Sequence, residues 1–148
     1  MRAEPTLQAP WQVWALCSAV FAALTALFAK IGVDALPSSY ATLVRTCVIL
    51  VVVVVVWIVS GAPGGAPLAT PRVHGALILS GAATGLSWLC YFQALKLGEA
   101  TRVAPLDKLS VVFVAIFSVI FLGERLDLRG WGGVALIATG AVLLAARR

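Results

Sequence analysis

Thr101-Arg102-Val103-Ala104-Pro105-Leu106-Asp107-Lys108-Leu109-Ser110, followed by VVFVAIFSVIFL as far as residue 122, is the stretch that decides the fold. From residue 103 onward the run is long and apolar enough to cross a bilayer as a helix. Asp107 and Lys108 stand about a turn inside it, just after a proline. A charged side chain at mid-membrane costs roughly 2.5–3.5 kcal/mol on the insertion scale. The cost falls near the interface, where a lysine can snorkel to the headgroups. Ionisable residues at depth therefore face protein or a water-filled cavity. These two residues mark a polar site on this span.

The rest of the chain fits the same solvent. Of 148 residues, 61% are hydrophobic and 11% charged, and the mean hydropathy is +1.03. Soluble domains average about 45–50% apolar and about 25% charged, so this chain in water would expose most of its apolar surface. The net charge of +5 suits anionic lipid headgroups. The eleven Lys and Arg are scattered among loop ends, without the basic face that nucleic-acid binding requires. Cys17, Cys47 and Cys90 lie in apolar segments with no CxxC, and His74 is the single histidine. They read as small packing residues rather than metal or disulfide chemistry. No nucleophile–base pair or ligand set for an enzyme is present, and no cofactor is expected.

The expected architecture is an all-α integral membrane protein. A polar lead over 1–10 precedes one transmembrane domain over 11–146, with five spans at about 11–33, 38–59, 72–97, 102–122 and 128–146. The first apolar run, 11–29, is about 28 Å long as a helix and exceeds a signal-peptide core. Ser18, Ala22, Ala26 and Lys30 recur every four residues and share a face; Lys30 either snorkels or lines a cavity. Residues 32–37 read as a turn, after which Ser38 or Ser39 can cap the second span. The six valines 51–56 suggest a strand in water, but a lone strand in lipid leaves its backbone unsatisfied, so they must be helical. Arg45, about two turns in, either snorkels or pairs with a carboxylate of the fourth span. The Gly/Pro-rich 61–67 is a loop without phosphate-loop spacing.

In the third span Gly81 and Gly85 form a GxxxG. Thr84, Ser87 or Trp88, and Tyr91 continue along nearby angles as a face that is small, then polar, then aromatic. It suits either a cavity wall or helix packing. Trp88 is too deep for an aromatic belt, unlike Trp11, Trp14 and Trp131. Residues 96–102 read as a tight turn. Pro105 either starts the fourth helix or lies inside it, leaving the Thr101 carbonyl without its donor. In a regular helix Asp107 and Lys108 diverge by about 100° and pair poorly, so Asp107 wants Arg45 or Lys30. Asp127 can cap the fifth helix, on which Gly132, Gly133 and Gly140 are packing notches, and Arg147 and Arg148 suit the headgroups.

Several of these stretches carry a resemblance. Ser87-Trp88-Leu89-Cys90-Tyr91-Phe92-Gln93-Ala94-Leu95 within 81–97 looks like the third helix of EamA-type proteins of the drug/metabolite transporter superfamily. Val103-Ala104-Pro105-Leu106-Asp107-Lys108-Leu109-Ser110 and Phe121-Leu122-Gly123-Glu124-Arg125 resemble further stretches of the family. The resemblance covers about 11–146, and the family pattern matches Pro105, Gly123 and Glu124. Most members have ten helices in two five-helix repeats of opposite orientation. This chain resembles one repeat, half of such a ten-helix inverted-repeat transporter. The resemblance implies transport of small metabolites, often export. Small multidrug resistance proteins place an essential glutamate in the first helix, whereas the first span here carries Lys30 and no carboxylate. Asp107 is then the candidate proton-coupling group.

Five spans put the termini on opposite sides. Arg2, Arg72, Arg125 and Arg129 fall on one side; Lys30, Lys96, Arg102, Arg147 and Arg148, with Arg45 if interfacial, fall on the other. So even a split barely fixes orientation, and an antiparallel homodimer, or a pair with a homologous chain, would rebuild the inverted-repeat plan that supports alternating access. The expectation is a secondary transporter, an exporter of a small polar or anionic metabolite, in a bacterial inner membrane. Its substrate or proton pathway would use Asp107, Lys108, Lys30, Arg45, Trp88 and Tyr91, with Gly81, Gly85, Gly133 and Gly140 in helix packing. The alternatives are a component that translocates a lipid-linked carrier and a non-transporting membrane subunit.

Overall fold

The structure is a computed structural model and describes residues 10–61 and 70–146. The polar lead apart from Pro10, the loop over 62–67, Arg147 and Arg148 lie outside the described residues. Helix α1 runs Trp11–Ala35, α2 Ser38–Val59 and α3 Pro71–Leu97. The fourth span, Ala100–Leu122, is built from α4 Ala100–Asp107, α5 Ser110–Phe117 and a π-helical turn Ser118–Leu122; α6 runs Leu128–Ala145. Five spans result, each long and apolar enough to cross a membrane.

Turns set the boundaries. Residue 32 belongs to α1, which continues to Ala35 before Leu36-Pro37, so the expected turn shrinks to two residues. The Gly98-Glu99 turn is equally short, and α4 already begins at Ala100. Ser38 is the first residue of α2 and not its cap; its hydroxyl crosses to α3 and donates to Gln93 Oε1 at 2.6 Å. Asp127 does cap α6, accepting from the Gly130 amide at 2.8 Å. Gly123 closes the π turn at φ +69°, in the left-handed region that favours glycine. Its amide and that of Glu124 both return to the Ser118 carbonyl. The valines 51–56 are helical and exposed, as a bilayer requires.

The packed core lies at one end, where both short hairpin turns sit. Val33 and Leu95 are fully buried, with Phe92 and Ala29 beside them and Ala41, Tyr91, Ala100 and Val103 against them. Polar ties reinforce this end. Lys30 Nζ donates to the Leu95 carbonyl at 2.9 Å, and Lys96 Nζ donates to the Leu36 carbonyl at 3.0 Å. Each lysine thus satisfies a carbonyl at the end of the other hairpin's first helix, where intrahelical donors run out. Arg102 Nε donates to the Ala145 carbonyl at 3.1 Å, tying α4 to the end of α6. Elsewhere most large apolar side chains face outward: Phe28 is 68% exposed, Ile78 72% and Leu136 75%. That outside is suited to lipid or another apolar helix.

The glycines expected to seat neighbouring helices do not do so within this chain. A methyl group added at Gly81, Gly85, Gly132, Gly133 or Gly140 would meet nothing within 4 Å. The cysteines depart from expectation in the same way, since Cys17, Cys47 and Cys90 are exposed rather than packed. For the glycines the reason is that the faces of α3 and α6 carrying them are turned away from the five-helix interior.

Candidate functional site

Pro105 lies inside α4, so the Thr101 carbonyl loses its usual amide partner. Past the proline the backbone tightens: the amides of Lys108 and Leu109 reach back three residues, to Pro105 and Leu106, each at 3.0 Å. The helix resumes at Ser110. The break therefore falls at Lys108-Leu109, directly after Asp107, which stands about 10 Å along the span from Ala100. Arg45 stands at a similar depth from Ser38, and Trp88 about 14 Å from Leu97. In a hydrocarbon core about 30 Å thick these groups lie well below the interface.

They line one polar chamber of about 200 Å³, open on one side, formed by Arg45, Ser87, Trp88, Tyr91, Asp107 and Lys108, with Ala22 and Thr25 of α1. Lys108 Nζ nevertheless approaches Asp107 Oδ2 to 3.6 Å, so these neighbours pair after all, the long lysine side chain reaching across the angle between them. Arg45 neither snorkels free nor takes a carboxylate. Its guanidinium lies 4.1 Å from the Trp88 ring centroid and 5.4 Å from that of Phe92. Each such contact gives about 0.5–2 kcal/mol, more when desolvated. Two of them offset much of the roughly 2.5–3.5 kcal/mol cost of the charge at depth. Among the described residues no carboxylate comes within ion-pair distance of Arg45. Two cations and one carboxylate leave the chamber with one positive charge in excess.

Five of the six expected pathway residues thus converge: Arg45, Trp88, Tyr91, Asp107 and Lys108. Lys30 does not join them. It is held at the packed end by Asp34 at 2.7 Å and by the Leu95 carbonyl. Because α1 reaches Ala35, Asp34 belongs to the first span; it sits in the last turn, paired, and not at depth. Asp107 also lines a cleft of about 310 Å³ with Cys90, Ala94 and Val103, and Lys108 a wider one of about 510 Å³ along the alanine face of α1; Tyr91 borders both. Thr25 and Phe92 escaped the sequence reading. The available signal for Phe92 was its place one turn after Trp88, which sets two rings on one face opposite an arginine that lacks a partner.

Comparison with known proteins bears on the whole of this arrangement. Residues 9–146 match the EamA-like transporter family. A protein of Sinorhizobium sp. described as an uncharacterized transporter in the cobO 3' region is 59% identical over 135 residues, covering 91% of this chain and 96% of that protein. No solved structure matches. The relative's match runs over nearly the whole of both chains, and the family model spans every residue of the chamber. The chain belongs to the EamA-like transporter family.

Proposed function

We propose that this transporter moves a small anionic metabolite, working as a dimer by alternating access. One observation carries the reading: Arg45, which has no carboxylate partner among the described residues, is held at membrane depth against two rings and faces the polar chamber. A transported anion supplies the missing partner. The core of Val33, Phe92 and Leu95, with the lysine ties beside it, closes the chamber toward the hairpin turns. A transport cycle must open that end. The unfilled glycine faces of α3 and α6 support a second chain as partner, and an antiparallel copy or a homologous chain would restore the ten-helix plan. Export from a bacterial cell, across its inner membrane, is the direction and location of this reading.

Asp107 is the coupling group, because it is the chamber's carboxylate and its charge sets how tightly Lys108 is held. The test uses purified protein in liposomes with an imposed pH gradient and a panel of labelled organic anions. Asp107→Asn is expected to insert and fold normally yet lose gradient-driven movement. Full pH-driven transport in that variant removes Asp107 from the mechanism.

A further inference from the structure

Arg45 has a second side. Besides the polar chamber it borders a groove between α1 and α2, a cavity of about 430 Å³ within the usual range of ligand pockets, roughly 300–1,000 Å³. The groove shares Arg45 and Thr25 with the chamber. Its other walls are apolar, chiefly Phe28, Val44, Val48, Ile49 and Phe92, with Gly32 on the α1 side. A methyl group added at Gly32 would meet nothing within 4 Å, so the space there is open. Phe28, Val44 and Val48 are also exposed on the outside of the bundle, so the groove opens sideways toward lipid. The two cavities differ in kind and meet at one guanidinium.

We infer that the substrate is a single-chain amphiphilic monoanion, whose head pairs with Arg45 in the chamber and whose apolar tail lies in the α1–α2 groove. The charge excess of one matches a head of one negative charge. The groove gives the tail an apolar bed open to the bilayer while the head remains in a polar site, which is what an amphiphile needs and a compact hydrophilic anion does not use. Entry is from the membrane, tail first, between α1 and α2. This inference rests on the anion-transport reading and narrows its substrate class.

The test measures binding of labelled butyrate and decanoate to the protein in phosphatidylcholine nanodiscs, with empty discs subtracted and decylamine as the cationic counterpart. Decanoate is expected to bind about tenfold or more tighter than butyrate, because sheltering even a few methylenes suffices for that. Gly32→Leu and Val48→Trp fill the groove from opposite walls. Each is expected to lower decanoate affinity about tenfold and leave butyrate nearly unchanged. Val55→Trp, outside the groove, should change neither, and Arg45→Gln should lose both anions. Equal, Arg45-dependent affinity for the two anions overturns the amphiphile and leaves anion transport standing. A decanoate preference that survives both filling variants, or equal binding of decylamine, also overturns it. If neither anion binds in an Arg45-dependent way, the anion reading falls with it.

Discussion

Two lysines show how little residue type alone decides. Lys30 and Lys108 both sit near apolar surface on membrane-spanning segments, and either could line a path for an anion. Lys30 instead has two fixed partners, Asp34 four residues on and the Leu95 carbonyl across the helix interface. Lys108 has one partner at the longer distance of 3.6 Å and borders two cavities. Removing Lys30 therefore strips a charge-assisted bond from the packed end, whereas removing Lys108 changes the field of the chamber. Lys30→Met is expected to lower stability by about 1.5–3 kcal/mol, the net worth of a hydrogen bond to a charged group, while transport per folded molecule remains. A thermal unfolding curve in detergent beside an uptake assay checks both halves. The Lys30–Asp34 spacing was legible as an i,i+4 pair. A first span that ends at residue 33 leaves Asp34 in a turn and hides the pair, whereas α1 continues to Ala35.

At the scale of the element, the fourth span departs most from a plain helix. Pro105 removes one amide, the next turn tightens, and the span ends in a π turn closed by Gly123. π turns and mid-helix tight turns occur where a functional group must be re-aimed. Here the break follows Asp107 directly, and Asp107 and Lys108 both line the chamber. Proline, the charged pair and the terminating glycine all stood in the sequence, so the span and its polar site were readable from it. The local geometry was not, because it depends on whether Pro105 begins the helix or lies within it. Composition and run length likewise sufficed for five spans. The partner of Arg45 leaves no complementary charge in the sequence to find, because it is a pair of aromatic rings; its one trace there is the single-turn spacing of Trp88 and Phe92. The outward turn of the glycine faces was equally hidden, since a GxxxG marks a close approach without naming the chain that makes it.

For the whole molecule, the even division of Lys and Arg between the two sides and the unfilled glycine faces belong to one proposal, the antiparallel pair. Reporter fusions after Arg148 that are active on one side only are expected to give signal on both sides. Signal from one side alone excludes the homodimer and directs the search to an oppositely oriented homologous chain. The central claim is narrower and does not depend on the partner: a water-accessible, positively biased chamber lies at membrane depth around Arg45. The direct measurement places a cysteine at Ser87→Cys in a background with Cys17→Ser, Cys47→Ser and Cys90→Ser. Its rates of reaction with anionic and cationic membrane-impermeant methanethiosulfonates are then compared, each scaled to a free thiol. The account predicts that both reagents react, that the anionic one is about tenfold favoured by a nearby unit charge in a partly screened site, and that Arg45→Gln erases the preference. A cysteine at Val54→Cys, on the lipid face, should stay unreactive. An unreactive Ser87→Cys, or a faster cationic reagent, contradicts the chamber.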